Sequence, residues 1–244
     1  MKILLVNGNR TRSVTDTVLA EARLAALPDT ELTAVTATFG ADIVFGHAED
    51  AIAGHAVLDS LARHHSDFDA AVLAISFDSG LLAARDLLAM PVLGITESAL
   101  LTACTLGQRV GVVSIGRVSD ALYAEVFARS GVAARIAGRR TIALASTGEY
   151  LSPTGFDARV AAAANELAAA DRVDVVVICG AALAGIARRL RDAVAVPVLD
   201  GVACAVRHAE ARVRAGERNP PRAPGPAARI EGVSPHLAAL FARG

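Results

Sequence analysis

The segment DFDAAVLAISFDSGLLAARDLLAMPVLGITESALLTA (Asp67–Ala103) decides the fold, because it recurs as RVDVVVICGAALAGIARRLRDAVAVPVLDGVACAVRHA (Arg172–Ala209). In the two copies Asp69 corresponds to Asp174 and Gly80 to Gly185, and Pro91-Val92 corresponds to Pro197-Val198 after a shift of one residue. Each copy contains an apolar run, a glycine-containing turn, a helical stretch, a Pro-Val run and a second helical stretch. A repeat of this length predicts two similar α/β halves, because a solenoid needs more and shorter units.

Short apolar runs alternate with helical periodicity along the rest of the chain, as expected for buried parallel strands and crossover helices. The predicted strands are Lys2–Val6, Thr30–Thr36, Ala70–Ile75, Val92–Ile95, Arg109–Ser114, Arg140–Ala143, Val173–Ile178 and Val198–Asp200. The predicted helices lie within Val14–Ala26, Ala48–His64, Leu81–Leu88, Glu97–Leu106, Ser119–Ser130, Phe156–Ala170, Gly185–Ala193, Val202–Arg214 and Ser234–Arg243. The fold class is therefore α/β, with two pseudo-symmetric domains of the Rossmann or flavodoxin type, each containing a parallel sheet.

The repeat places the first domain at residues 1–98 plus 208–244 and the second at residues 99–207. Ligands of open α/β sheets bind beyond the carboxyl ends of the strands. Two facing copies would therefore bring Ser76–Gly80 and Cys179–Ala182 to one cleft at the domain interface. Between Arg214 and Arg229, four prolines and two glycines accompany four arginines, which predicts an exposed loop.

Composition excludes several classes of protein. The 244 residues are 53% hydrophobic, enough to fill a core, and 24 basic against 25 acidic residues leave a net charge of -1. Without a basic block or many aromatic residues, a nucleic-acid surface is not expected, so a small molecule is the expected partner. The longest nearly apolar run, Val175–Ala187, is shorter than the roughly 20 residues of a membrane span. The start MKILLVNGN lacks the features of a signal peptide, and we expect a cytoplasmic protein.

Polar residues follow four of the predicted strands. Asn7, Asn9, Ser76 and Ser114 offer amide and hydroxyl donors that suit a carboxylate or a ureide carbonyl. Asp78 lies in the second of these segments, where it serves either as a base or as an acceptor for turn amides. The segments contain neither a Walker loop nor GxGxxG after a strand, so they do not predict a nucleotide site.

The cysteines and histidines do not form a metal or disulfide pattern. Cys104, Cys179 and Cys204 are odd in number and widely spaced, without CxxC, and the six histidines are scattered. We therefore predict no metal site and no disulfide framework. Cys104 and Cys204 lie within apolar helical patterns and read as core residues. Cys179 ends a strand and precedes Gly180 in the second copy of the repeat, which makes it the candidate for chemistry.

The motifs resemble a known family. The opening LLVNGNRT is similar to the hydrophobic-Asn-Pro-Asn-Thr start of the hydantoin and allantoin racemases, in the aspartate/glutamate racemase superfamily. FDSGLLAARDLL with PVLGITESAL resembles their Asp-Pro-Gly-Leu segment and its Pro-Val continuation, and GAALAG with VPVLDGVACAV resembles their Ala-Gly-Met-Ala-Gly and Pro-Val-x-Asp-Gly-Val segments. The likeness covers about residues 1–209. It implies two pseudo-symmetric domains, a site between them, and cofactor-independent exchange of a proton beside a carbonyl.

The sequence departs from the family pattern at the positions of the two catalytic cysteines. The resemblance implies two cysteines facing each other across the substrate, yet in ungapped register these positions hold Ile75 and Gly180, with Ser76 and Cys179 adjacent. A shift of one residue at each strand end would make Ser76 and Cys179 the catalytic pair. A thiol ionises more readily than a hydroxyl, so Cys179 is the predicted base, with a pKa lowered by the helix that starts near Gly185.

We therefore expect a cofactor-independent racemase of amino-acid or hydantoin type that acts on a small carboxylate or cyclic ureide. Catalytic Cys179 and Ser76 would be assisted by Asn7, Asn9, Ser114, Asp78 and Gly180 as substrate-binding residues. A homo-oligomer is expected as well. Two alternatives stay open: a single-cysteine enzyme similar to arylmalonate decarboxylase, and a non-catalytic ligand-binding relative that has lost the cysteine pair.

Overall fold

Two four-stranded parallel sheets form the centre of the molecule. The computed structural model describes residues 1–151, 155–220 and 230–242. The first sheet has the order β2-β1-β3-β4 and the second has β6-β5-β7-β8, with every neighbouring pair parallel. The strands are β1 Lys2–Asn7, β2 Glu31–Thr36, β3 Ala70–Leu73, β4 Val92–Gly94, β5 Val110–Ile115, β6 Ile136–Ile142, β7 Val175–Ile178 and β8 Val198–Asp200. The predicted α/β class, its two matching parallel sheets and all eight strands are confirmed.

Ten α-helices within the described residues flank these sheets. They are α1 Arg12–Ala25, α2 His47–His64, α3 Leu81–Leu87, α4 Ile95–Leu106, α5 Asp120–Arg129, α6 Thr147–Tyr150, α7 Asp157–Ala170, α8 Ile186–Arg189, α9 Gly201–Arg214 and α10 Pro235–Phe241. The helix predicted over Gly185–Ala193 is only four residues long, and the short α6 was not predicted. No helix of the described residues has both the length and the apolar character that crossing a bilayer requires.

The repeat is visible in matched hydrogen bonds. Asp69 precedes β3 and accepts a hydrogen bond from the backbone N–H of Lys2 at 2.7 Å, at the start of β1. Asp174 precedes β7 and accepts from the N–H of Arg109 at 2.8 Å, beside the start of β5. Gly80 and Gly185 then precede α3 and α8 with φ of 77° and 83°, a left-handed conformation that favours glycine.

Two helices join the halves. α4 follows the first sheet but packs against β7 and β8, while α9 follows the second sheet and packs against β3 and β4. The two helices also contact each other along their lengths. The division predicted from the repeat, after residues 98 and 207, cuts the chain inside these two helices and stays a prediction.

The proline-rich stretch is only partly described, since residues 221–229 lie outside the described part of the chain. Before them, Asn219 differs from the predicted exposed loop because its side chain is buried. Its Nδ2 donates hydrogen bonds to the carbonyl oxygens of Leu88 at 2.9 Å and Met90 at 2.6 Å. The first part of the stretch is therefore attached to the loop between α3 and β4.

Candidate functional site

The segments that follow β3 and β7 meet where the two sheets face each other. Ser76 Oγ accepts a hydrogen bond from the backbone N–H of Ala181 at 2.9 Å, although the residues are 105 positions apart. Cys179 directly follows β7, and its N–H donates to the carbonyl oxygen of Val113 at 2.9 Å, extending the pairing with β5 by one residue. The structure thus brings the Ser76 and Cys179 segments together at the carboxyl edges of the two sheets.

Two tyrosines complete this contact. Tyr123 on α5 and Tyr150 at the end of α6 both lie beside Ser76, whose hydroxyl group lowers the pKa of each phenol less than burial raises it. Ser76 therefore lies between the N–H of Ala181 and the two phenol groups. We call Ser76, Asp78, Tyr123, Tyr150 and Cys179 the junction cluster.

The tyrosines were missed by sequence reasoning. They are the chain's only two, and both are buried. Burial raises the pKa of both phenols, so both hydroxyl groups remain protonated donors at neutral pH. A buried tyrosine normally finds a partner for its O–H, which is the one signal that sequence offered. Since neither tyrosine lies in the repeat, that signal did not indicate where the partner would be.

The thiol of Cys179 is protonated at neutral pH. Burial is the main cause, with a contribution from the negative charge of Asp78, and together they raise its pKa to about 12. The expected lowering by a helix near Gly185 is wrong, because α8 is a single short turn and desolvation outweighs any helix dipole. At neutral pH, the sulfur of Cys179 is thus a thiol rather than a thiolate.

Asp78 is the titratable acid of the junction cluster. Its φ of 51° is left-handed, and its carboxylate caps α4 by accepting hydrogen bonds from the N–H groups of Thr96 at 3.0 Å and Glu97 at 2.8 Å. Burial outweighs these bonds and raises its pKa to about 7. A carboxylate has about four acceptor positions, so two remain after capping. Asp78 is thus a capping residue that also changes its charge near neutral pH.

At the end of β1, Asn7 and Asn9 have different roles. Asn7 Nδ2 donates to Asn9 Oδ1 and to Thr15 Oγ1, both at 3.0 Å, and Asn7 Oδ1 accepts from the N–H of Asn9. The amide of Asn7 is therefore committed to holding the loop. Asn9 Nδ2 makes no hydrogen bond with any residue that the structure describes, so Asn9 offers the available donor.

Ser114 and Gly180 are also placed by the second sheet. Ser114 is buried, and its Oγ shares a hydrogen bond of 3.1 Å with Thr141 Oγ1, which donates to Asp120 Oδ1 at 2.7 Å. The hydroxyl of Ser114 is thus engaged inside the second half. Gly180 has a φ of 138° and begins the turn that presents the N–H of Ala181 to Ser76.

The loop between β2 and α2 covers the junction cluster from the first half. The ring of Phe45 contacts that of Tyr150 with centroids 5.8 Å apart, and Ser119 Oγ donates to the carbonyl oxygen of Phe45 at 3.3 Å. His47 Nε2 and Glu125 Oε1 lie 2.8 Å apart across the two halves, and this contact raises the pKa of His47. These contacts join the segment around the start of α2 to the second half beside Tyr150.

The chemistry available at this site is proton transfer. A buried thiol and a carboxyl group with a pKa of about 7 influence each other electrostatically, and two phenol hydroxyls lie beside them. Such groups can move a proton and donate to an oxygen that becomes negative. Among the residues described, three or more His, Cys, Asp or Glu side chains are nowhere gathered as metal ligands.

Comparison with known proteins gives a consistent result. Residues 3–209 match the family model described as Asp/Glu/Hydantoin racemase. The chain is 28% identical over 219 residues to a hydantoin racemase of Paenarthrobacter aurescens, covering 88% of this chain and 92% of the relative. Its structure is similar to the allantoin racemases of Klebsiella pneumoniae, with a TM-score of 0.89, 27% identity and 98% of each chain covered, and of Pseudomonas fluorescens, with 0.88, 32% identity and 94% and 100% covered.

Proposed function

The chain belongs to the Asp/Glu/hydantoin racemase family, and from that premise we propose that its substrate is a cyclic ureide of the hydantoin or allantoin type. The chain is an isomerase, a cofactor-independent racemase that acts on a small molecule. The similarities do not favour the two alternatives, a decarboxylase or a non-catalytic relative. The ureide as substrate is supported by relatives that act on hydantoin or allantoin and match nearly the full chain. That the chain forms a homo-oligomer stays a prediction.

The observation that carries the proposed mechanism is the difference between the pKa of Asp78, about 7, and that of Cys179, about 12, within one buried cluster. Above about pH 7 the carboxylate of Asp78 is charged while the thiol of Cys179 keeps its proton. We assign proton removal from the ring carbon to Asp78 and proton return to Cys179, because one group is then a base and the other an acid at the same pH. This replaces the predicted role of Cys179 as base with the role of acid.

The remaining site residues would bind and orient the substrate. Removing the ring proton places negative charge on the adjacent carbonyl oxygen, and hydrogen-bond donors stabilise that charge. Asn9 Nδ2 and the phenol groups of Tyr123 and Tyr150 supply donors of this kind. Ser76 orients the phenols, and Gly180 allows the turn beside them. Asn7 and Ser114, whose side chains are engaged internally, would act through the loops that they hold.

Deuterium exchange tests this function directly. Purified protein is incubated in D₂O with an enantiopure 5-substituted hydantoin or with allantoin, and proton NMR follows loss of the signal from the ring carbon. We expect exchange and loss of optical rotation with the native protein. Cys179→Ser should slow the loss of optical rotation at least about 100-fold, the usual contribution of a general acid or base. Cys104→Ser, at a half-buried position on α4, is the matched control and should keep the native rate.

Two outcomes would contradict the proposal. No exchange with either ureide, while another carbon acid such as a free amino acid exchanges, would mean that the substrate class is wrong. Loss of optical rotation at the native rate in a folded Cys179→Ser protein would mean that the proton donor is another residue. Circular dichroism of both cysteine variants establishes folding before the rates are compared.

A further inference from the structure

A cavity lies beyond the turn that follows Cys179, away from the junction cluster. Its volume is about 650 Å³, and it is bounded by α1 from the first half and by α8, β8 and α9 from the second. Small-molecule sites in proteins commonly measure about 300–1,000 Å³. Leu24 and Val196 contribute apolar wall. The cavity therefore has the size and the mixed lining of a ligand site.

The charged side chains that line this cavity differ in burial according to their sign. The acids Glu21 and Asp200 are buried, whereas the arginines at positions 188, 191 and 207 are exposed. Arg188 Nη2 pairs with Glu21 Oε2 at 3.2 Å. Neither Arg191 nor Arg207 forms an ion pair with any residue that the structure describes. The lining thus offers hydrogen-bond acceptors at its base and available cations at its mouth.

These features select one chemical class of ligand. Three arginines face two acids, so the lining carries excess positive charge and attracts an anion. The guanidinium groups suit a carboxylate, which they can bind with two parallel hydrogen bonds. The buried carboxylates suit N–H donors on the other end of the same molecule. A small carboxylate that carries a urea group has both ends.

The cavity is connected to the junction cluster through Gly185. The N–H of Gly185 donates to Asp200 Oδ2 at 3.2 Å, and a β-carbon on Gly185 would lie 2.5 Å from Glu21 Oε2. Asp200 therefore binds Gly185, and Glu21 lies close beside it. Gly185 ends the turn whose Ala181 N–H contacts Ser76. A ligand that donates hydrogen bonds to Glu21 or Asp200 would move these side chains and so shift this turn.

We propose that this cavity is a second ligand site for a ureido carboxylate, and that its occupant alters the rate at the junction cluster. The choice of ureido acid rests on the proposed function, because hydrolytic opening of a cyclic ureide adds water across a ring amide and yields a carboxylate and a free urea end. A ring-opening hydrolase would consume the racemised ureide and release the ureido carboxylate. Binding of that carboxylate would make the rate of the racemase depend on how much ureide the hydrolase has already opened. The charge and shape of the site do not depend on that choice.

Isothermal titration calorimetry with hydantoic acid, the simplest ureido carboxylate, tests the site on the native protein. We expect saturable binding that the neutral amide of hydantoic acid lacks. Arg191→Ala and Arg207→Ala should each weaken binding about tenfold, the value of one charge-assisted hydrogen bond. Arg12→Ala removes an exposed arginine from the other end of α1 and should bind as the native protein does.

The competing results are distinct. No saturable binding of hydantoic acid, or binding that Arg191→Ala and Arg207→Ala leave unchanged, overturns the second site. Displacement of hydantoic acid by a hydantoin in simple competition also overturns it, because the acid would then occupy the junction cluster. Calorimetry does not require turnover, so a protein that binds hydantoic acid as expected but exchanges no ureide refutes the proposed function and retains the site.

Discussion

Asp78 and Gly94 depend on each other: a β-carbon on Gly94 would lie 2.3 Å from Cγ of Asp78. The absence of a side chain at the end of β4 leaves the space in which the carboxylate reaches the first N–H groups of α4. In the second half the arrangement is reversed, because Asp200 is the repeat equivalent of Gly94 and carries the carboxylate itself, at the start of α9. Each half therefore places one buried acid at the start of a connecting helix.

Gly94→Ala should lower stability and exchange together. The added methyl group displaces the Asp78 carboxylate from Thr96 and Glu97, so we expect a loss of about 1–3 kcal/mol in the free energy of unfolding, measured with urea. Gly54→Ala, on α2, is the matched control, since its β-carbon would meet only the backbone of Gly80 at ordinary distances of 3.5 Å or more. Equal stability of the two variants would contradict the role assigned to this space.

The raised pKa of Asp78 predicts how stability depends on pH. In the unfolded chain its carboxyl ionises near 3.8, whereas in the folded protein it keeps its proton up to about pH 7. The unfolded state therefore loses this proton first, and the stability contributed by Asp78 falls as pH rises from about 4 to about 7. Asp78→Asn should flatten that slope in urea titrations, whereas Asp86→Asn, at an exposed position on α3, should leave it unchanged.

The same ionisation should govern the exchange rate. If the Asp78 carboxylate removes the ring proton, exchange rises with pH and levels off above about pH 7. Asp78→Asn should abolish the dependence together with most of the rate. A rate that rises steadily to pH 10 in the native protein would instead identify a group with a much higher pKa as the base.

Cys104 should be the cysteine that a thiol reagent modifies first. It is half-buried, whereas Cys179 and Cys204 are buried and have raised pKa values. Since iodoacetamide reacts with accessible thiolates, we expect Cys104 to be modified first at pH 8 and Cys179 to react slowly. Peptide mass spectrometry identifies the modified residue. Rapid labelling of Cys179 would show that its thiol is accessible and ionised, as first expected from sequence.

The two asparagines after β1 should respond differently to truncation. Asn9→Ala removes the available donor, and loss of one donor to a developing negative charge typically lowers kcat about 100- to 1,000-fold. Asn7→Ala instead removes the bonds to Asn9 and Thr15 and should lower the unfolding free energy by about 1–3 kcal/mol. Assays of kcat and urea unfolding on both variants separate these effects. An unchanged kcat in Asn9→Ala would end its assignment to substrate binding.

The strands were predictable because each is an apolar run bounded by turn residues. The prediction was least accurate at β6, which begins at Ile136 rather than Arg140. That strand is at the edge of its sheet and only half-buried, so its sequence lacks a continuous apolar run. The helix expected up to Ala193 stops at Arg189, and the backbone continues in turns, in which the N–H of Ala193 donates to the carbonyl oxygen of Leu190.

The site was predictable only in part. The repeat indicated that Ser76 and Cys179 belong to equivalent strand ends, because repeats preserve topology. It did not indicate the pKa of Cys179, which is set by burial beneath groups from both halves. The neighbours of Ser76 could not be predicted either, because Tyr123 and Tyr150 lie on helices that have no counterpart in the repeated segment.

The exchange of α4 and α9 between the sheets ties the two halves together. Each helix begins beside the sheet that it leaves and packs on the sheet that it reaches, and the two helices contact each other. Pulling the halves apart would therefore break the packing of both helices at once.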